Sequence, residues 1–261
     1  VLRPHIIFLE AQALEVLGRN RAAAQKFESI QTAGILAKTV RTSTARAWFA
    51  AGDCGRGGYT TEILRTHHPR HPDLPKLLYQ KTRCEEAESR FAESILNYHK
   101  IWTRYPLDPA ALAAEKRLTY LRKKGFQSPQ SSTRELLTRA MALQKARKID
   151  EALKTWQALK IRNLSNSVRL SAGFYMGLNS YFLRRNREAA EYLRWTASNG
   201  RGGRWAPKAL YYLARTHLRR GNSKDFQKVG DELSRDYPRN GWARQFLYLQ
   251  ARVIEDNGHL E

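Results

Sequence analysis

The stretch Leu210-Tyr-Tyr-Leu-Ala-Arg-Thr-His-Leu-Arg-Arg-Gly221, continued by Asn222-Ser-Lys-Asp-Phe-Gln-Lys-Val-Gly-Asp-Glu-Leu-Ser-Arg-Asp-Tyr-Pro238, carries two amphipathic periods on either side of one glycine. Before the glycine, Leu210, Leu213, Ala214 and His217 recur three or four positions apart, which places them on one face of a helix. After it, Phe226 and Leu233 do the same, and Pro238 stops the second period. The small Ala214 lets a second helix come close. The segment predicts an antiparallel helical hairpin.

Outward from this hairpin the pattern returns. Turns fall at Gly18, Gly52, Ser89, Arg147, Arg185, Gly221 and Gly258, with steps of 34, 37, 58, 38, 36 and 37 residues. A period in this range is the mark of stacked helical hairpins, and the tetratricopeptide template fits it. Ile7, Ala11, Leu14, Ala23, Phe27 and Ile30 match around Gly18. Leu136, Ala140, Leu143, Ala152, Trp156 and Leu159 match around Arg147, and Phe174, Leu178, Tyr181, Ala190 and Ala197 match around Arg185. A final unit keeps Leu247, Ala251 and Ile254. The expected fold is all-α: a right-handed superhelix of stacked antiparallel helix pairs, a tetratricopeptide-like α-solenoid. Such arrays present surfaces and rarely enclose a catalytic pocket.

One continuous superhelix is expected, with a first hairpin array over 1–124, a connector over 125–132 and a second array over 133–261. The second array stops where its last hairpin would continue, and the chain begins with Val1, so it reads as a piece of a longer protein. The 58-residue step is assigned to an extra helix over 109–124 plus the connector. Ser132 or Thr133 is placed to cap the following helix, with Glu135 close behind. Residues 40–66 are expected to be an irregular hairpin broken by the loop Gly52-Asp-Cys-Gly-Arg-Gly-Gly58. That loop lacks the Gly-Lys-Ser/Thr ending of a phosphate cradle.

Lys and Arg number 46 against 24 Asp and Glu, a net charge of +22, and the excess is spread along the whole chain. A field of that sign attracts polyanions: nucleic acid, an anionic lipid surface or an acidic cell-wall polymer. No apolar run is long enough to span a membrane. Cys54 and Cys84 have neither metal-type nor redox-type spacing; Cys84 reads as a small buried hydrophobe and Cys54 as a turn residue, with a disulfide between them in an oxidising compartment as the alternative. His67, His68 and His71 stand among prolines and read as a solvated turn rather than a metal site. His217 takes a bulky core position as a buried, hydrogen-bonded imidazole. Trp156 belongs to the core, and Trp48, Trp102, Trp195 and Trp242 are assigned there too. No residue pattern calls for a metal or cofactor.

The segments Ala209-Leu-Tyr-Tyr-Leu-Ala-Arg-Thr-His-Leu-Arg-Arg-Gly221 and Phe246-Leu-Tyr-Leu-Gln-Ala-Arg252, with hairpin ends Trp102-Thr-Arg-Tyr-Pro-Leu-Asp-Pro109 and Asp236-Tyr-Pro238, resemble the superhelical region of soluble lytic murein transglycosylases over about residues 70–261. The resemblance implies a periplasmic, non-catalytic arm that holds peptidoglycan for a lysozyme-like domain. That domain's Glu-Ser pair is followed by Gly-Leu-Met-Gln. Glu28-Ser29, Glu88-Ser89 and Glu93-Ser94 lack that sequel, so no catalytic residue is carried over.

The candidate binding residues are basic. Arg184, Arg185 and Arg187 occupy one turn, and Arg215, Arg219 and Arg220 the next hairpin's turn. Adjacent turns of a stacked array share an edge. Arg201 and Arg204 lie between them beside Trp205, where arginine and indole can form a flat stacking surface. Peptidoglycan is the expected partner, a tetratricopeptide-type scaffold for an acidic protein the alternative, and nucleic acid ranks last because no set of base-reading positions repeats.

Overall fold

A computed structural model of the chain describes residues 3–31, 34–160 and 164–258. The described residues are helical throughout, joined by turns, with no strand among them. They divide into two compact units, Val1–Ser131 and Ser132–Glu261. In the first unit, α1 (Arg3–Val16), α2 (Asn20–Glu28), α3 (Gly34–Ala50), α4 (Cys54–His67), α5 (Leu74–Ala87) and α6 (Phe91–Arg104) form three hairpins, and α7 (Pro109–Lys123) follows singly. In the second, α8 (Thr133–Lys145) with α9 (Ile149–Lys160), α10 (Asn166–Phe182) with α11 (Asn186–Asn199), and α12 (Ala206–Arg219) with α13 (Ser223–Asp236) form three more, closed by α14 (Gly241–Gly258).

One backbone device sets the period. At Gly18, Gly52, Ser89, Gly125, Arg147, Arg184 and Gly221 the chain enters the left-handed region. At each, this residue's N–H bonds back three residues, and the next N–H bonds back five. For Gly221 and Asn222 the acceptors are Leu218 O at 2.9 Å and His217 O at 3.0 Å. This pair of bonds is the Schellman ending, which satisfies carbonyls the helix leaves open. The spacing is 34, 37 and 36 residues in the first unit and 37 and 37 in the second. The 58-residue step therefore resolves into a regular 36 to Gly125, which ends α7, and a break of 22 to Arg147. α7 is the first helix of a hairpin that the connector replaces. After the break, Ser132 restarts the array with a full capping box: its hydroxyl accepts from Glu135 N, and the Glu135 carboxylate accepts from Ser132 N at 2.8 Å.

Counting from these turns aligns the core. Five, nine and twelve residues on, every hairpin's second segment has a buried residue: Ala23 and Phe27 in α2 and Ile30 just past its end; Ser94, Tyr98 and Ile101 in α6; Ala152, Trp156 and Leu159 in α9. The same count corrects the register expected for α10. The left-handed residue is Arg184, not Arg185. Gly173, Gly177 and Ser180, rather than Phe174, Leu178 and Tyr181, therefore take the positions that face α11. A Cβ on Gly173 would stand 2.7 Å from Thr196 Oγ1, and one on Gly177 would stand 2.6 Å from Leu193 Cγ. Phe174 and Tyr181 are buried with the α12 residues instead.

Two further expectations are corrected in the first unit. The glycine loop is helical: Gly55, Gly57 and Gly58 lie in the first turns of α4, whose N-cap Asp53 accepts from Arg56 N at 2.9 Å. Gly57 is needed there because the Phe49 ring occupies the place of its Cβ, at 2.7 Å. Cys84 is not an inert small hydrophobe. It forms a disulfide with Cys54, with Cα atoms 5.9 Å apart, tying α4 to α5 across two hairpins. Below it, Glu86 of α5 accepts a hydrogen bond from Tyr98 Oη of α6 at 2.7 Å and one from Arg117 Nε of α7 at 3.1 Å. This buried network joins three helices. His68 and His71 reach back to α3, where His68 Nε2 lies 3.2 Å from Arg41 Nη1 and His71 Nε2 lies 3.4 Å from Thr42 Oγ1.

Candidate arginine–tyrosine surface

The first helices α10, α12 and α14 of the second unit pack side by side. Their aromatic residues therefore meet across helix boundaries. The ring of Tyr181 lies 5.6 Å from that of Tyr212, Tyr212 lies 5.9 Å from Trp242, and Tyr211 lies 5.1 Å from Trp242. Arginines one helical turn apart on α12 lie over this layer. The Arg215 guanidinium stands 5.4 Å from the Tyr181 ring, 5.7 Å from Tyr211 and 5.9 Å from Tyr212. That of Arg219 stands 3.8 Å from the Tyr181 ring, and its Nη1 donates to the Tyr181 carbonyl at 2.6 Å. Cation–π contact and one backbone acceptor hold both side chains without neutralising them. Burial raises the Tyr212 phenol above its ordinary value, and the charge of Arg215 opposes the rise.

The other predicted residues fall into three situations. Arg184 and Arg220 are exposed on the adjoining turns, Arg184 in the left-handed position and Arg220 at the C-cap of α12. Among the described residues, Arg184, Arg215, Arg219 and Arg220 make no ion pair. Arg185 does: Asp150 lies 3.6 Å away and Glu188 3.9 Å. Arg187 pairs with Glu191 at 3.4 Å. Arg201, Arg204 and Trp205 lie at the opposite end of α12, about 20 Å along the axis at 1.5 Å per residue. Trp205 is only 8% exposed and packs against Phe174 at 5.1 Å, so it is a core residue rather than an open platform. Arg204, 4.8 Å from the ring, covers it from outside.

The structure thus brings Arg184, Arg215, Arg219 and Arg220 to one end of the unit and sets Arg201 and Arg204 apart. In the sequence reading Tyr181 is a core position of its hairpin, and Tyr211 and Tyr212 are given no role in binding. Their signal is present in it, since Tyr211, Arg215 and Arg219 recur at four-residue steps and must share a face. His217 lies just behind. Burial lowers its pKa, Asp225 stands 3.8 Å from Nδ1, and that nitrogen makes no hydrogen bond, contrary to the expected bonded imidazole. Among the described residues no three His, Cys, Asp or Glu side chains converge as metal ligands, and no helix is long and apolar enough to cross a membrane.

No family model and no curated protein sequence matches the chain. Among solved structures it is similar to the TPR domain of P58(IPK), with 11% identity, coverage of 97% of this chain and 66% of that one, and a TM-score of 0.39. The chain thus spans just under two thirds of that domain. It is also similar to Pseudomonas aeruginosa pilF (13% identity, 94% and 96% coverage, TM-score 0.36) and to Rap protein complexed with competence and sporulation factor (12% identity, 94% and 80% coverage, TM-score 0.39). At such scores the likeness is one of helical-hairpin architecture, and the partners of those proteins do not transfer.

Proposed function

We propose that the chain is a tetratricopeptide-type scaffold that docks an acidic protein segment on the arginine–tyrosine surface of α10 and α12. The observation that carries the reading is the set of Arg184, Arg215, Arg219 and Arg220, gathered at one end of the unit with no carboxylate among the described residues to neutralise them. A solvated arginine would be free to swing. Arg215 and Arg219 are instead held over tyrosine rings, ready to meet an incoming carboxylate with little loss of side-chain entropy. The left-handed Arg184 adds support. Glycine fills the equivalent turn position at Gly18, Gly52, Gly125 and Gly221 at no steric cost, while Ser89 and Arg147 also occupy it against a local penalty, so what sets Arg184 apart is its place beside Arg219 and Arg220. The second unit as a whole carries 25 Lys and Arg against 12 Asp and Glu, a field that steers an acidic partner inward. Titration of a fluorescent glutamate-rich peptide tests it. Arg215→Ala with Arg219→Ala is expected to weaken binding about tenfold, and binding should fall as salt rises. Equal affinity for wild type and variant defeats the proposal.

A second reading keeps the same arginines and changes the polymer. The Cys54–Cys84 disulfide supports an oxidising compartment such as the periplasm, and peptidoglycan there carries stem-peptide carboxylates. The chain would then be the murein-holding arm of a lytic transglycosylase, as the sequence resemblance implies. Changing Arg184, Arg185, Arg219 and Arg220 together to Glu should reduce pull-down by isolated sacculi. Unchanged pull-down removes this reading and leaves the protein scaffold.

A further inference from the structure

The turn that joins α4 to α5 departs from its counterparts in a consistent direction. Three hairpins end in the same backbone turn, in which the N–H of the residue before a proline donates four residues back: His68 N to Leu64 O at 2.7 Å, Tyr105 N to Ile101 O at 3.1 Å and Tyr237 N to Leu233 O at 3.0 Å. Three residues on, the N–H of His71, Asp108 or Asn240 donates to that residue's carbonyl. The side chain there then accepts from the backbone two residues further: His71 Nδ1 from Asp73 N at 3.2 Å, Asp108 Oδ1 from Ala110 N at 2.8 Å and Asn240 Oδ1 from Trp242 N at 3.0 Å. Histidine thus stands where the other two turns have tyrosine, and again where they have Asp or Asn. The neighbouring helix α3 is altered in the same sense. Eleven residues before each left-handed hairpin turn the chain has Ile7, Leu78, Ala114, Leu136, Gly173 or Leu210, but in α3 it has Arg41.

These changes converge on one cleft. It holds about 480 Å³ and is lined by Lys38, His68, Arg70 and His71 with the rings of Pro69 and Pro72, and by no carboxylate. A volume in this range suits a small ligand. Arg41 adjoins it, with Nη1 3.2 Å from His68 Nε2. A guanidinium only donates, so Nε2 accepts and the His68 proton sits on Nδ1 as a further donor. His71 Nδ1 is taken by Asp73 N, so its proton sits on Nε2, 3.4 Å from Thr42 Oγ1. The Thr42 hydroxyl donates onward to the Lys38 carbonyl at 2.9 Å. Both imidazoles are therefore neutral and tied to α3, and the two prolines stiffen the turn that carries them. Among the described residues Lys38, Arg41 and Arg70 pair with no carboxylate. The charge of Asp73, near His71 in sequence, supports Arg46, which Glu15 already binds. Burial, then the charges of Lys38, Arg41, His67 and His71, lower the His68 pKa. The cleft is a positive site with fixed donors and nothing to balance them.

We propose that this cleft binds a phosphoryl dianion, free or as the ester of a small molecule. Three unpaired cations and two held imidazoles match its two charges and three terminal oxygens, where a carboxylate would occupy a single guanidinium. The proline rings leave an apolar rim for the organic part of an ester. The site lies in the first unit and stands apart from the arginine–tyrosine surface of the second.

Inorganic phosphate, titrated calorimetrically into the full chain at about pH 7.5 and about 0.15 M salt, should bind with a Kd of about 0.1–1 mM. Restoring the residue types of the other hairpins, with Arg41→Leu, His68→Tyr and His71→Asp together, should weaken it about tenfold or more while the thermal midpoint holds or rises. Lys38→Gln with Arg70→Gln, both exposed, should weaken it about tenfold with the fold untouched. By proton NMR the His68 pKa should rise by about one unit in saturating phosphate. Phenyl phosphate bound as tightly as phosphate identifies an ester as the ligand; phenyl phosphate bound about tenfold more weakly identifies the free ion. No heat at about 20 mM phosphate overturns the proposal. Unchanged affinity in both variants also overturns it, making the attraction a property of net charge alone. Acetate bound as tightly as phosphate overturns it in favour of a carboxylate site. Loss of phosphate binding in Arg215→Ala with Arg219→Ala would place the anion in the second unit and equally overturn it, so the two surfaces are tested separately.

Discussion

The ring of Phe246 rests on Gly230: a Cβ added to Gly230 would stand 1.7 Å from Cζ of the phenylalanine. No rotation of the added methyl relieves an overlap of that size, so the ring, and α14 with it, would have to move. Gly230→Ala should destabilise the second unit by about 2–3 kcal/mol, although alanine is the better helix former. Urea unfolding checks this. Adding Phe246→Ala to Gly230→Ala should cost less than the two separate effects combined, because the clash and the cavity remove one another.

The turn at Arg184 offers the opposite case. Arg184→Gly relieves a non-glycine residue of the left-handed region and should stabilise the chain by about 0.5–1 kcal/mol in the same assay. It should also weaken capture of an acidic peptide, since it removes one of the unpaired arginines. Gly221→Ala, at the equivalent position of the next hairpin, should lower stability by about 1 kcal/mol. An unchanged urea midpoint for both variants contradicts the idea that these turns hold strain.

Reduction of Cys54–Cys84 should weaken the first unit alone. The bond closes a separation of 30 residues, for which the loop-entropy relation gives about 3–4 kcal/mol. Cys54→Ser with Cys84→Ser should reproduce the effect of dithiothreitol, and hydrogen exchange should show the loss in α4 and α5 while α8 to α13 keep their protection. A uniform loss across both units would contradict this.

Glu86 makes stability in the first unit depend on acid. Burial by itself raises its carboxyl, but hydrogen bonds from Arg117 and Tyr98 and the nearby charge of Arg117 and Arg83 outweigh burial and hold it below the usual carboxylate range. The unfolded chain therefore takes up the proton first as pH falls. The stabilisation is complete above the ordinary glutamate value and is lost as pH drops through the depressed one. Glu86→Gln should flatten that acid limb in a pH series of thermal melts. Arg117→Ala, which leaves the buried carboxylate with only the more distant Arg83 at 3.9 Å, should cost about 3 kcal/mol at neutral pH.

The hairpin period was legible because turns repeat and each demands a residue that tolerates the left-handed region. Where glycine supplies it, as at Gly18, Gly52 and Gly221, sequence and structure agree to the residue. Where arginine does, nothing in the side chain marks the backbone, and the α10 register slipped by one between Arg184 and Arg185. That slip hid the close approach of Gly173 and Gly177 to α11. Gly125 was passed over because the helix that should follow it is missing. The glycine run of α4 was read as a loop because its reason for lacking side chains, the ring of Phe49 on Gly57, is a tertiary contact. The cysteine pair was unreadable for the same cause: 30 residues of sequence separation reduce to 5.9 Å only once α4 lies against α5. At the candidate surface, the charges could be found by composition, and the tyrosine layer that orders them could not, because its rings come from α10, α12 and α14.

The equal spacing of Arg147, Arg184 and Gly221 decides how such a gene can change length. One residue added between Arg184 and Ala189 would rotate α11 by about 100° and carry Ala189, Leu193 and Thr196 out of the core together. Single-codon insertions near a turn should therefore be purged, while gains or losses of a whole 37-residue block between turns would return each helix to its face. The second unit can lengthen or shorten by hairpins but not by residues.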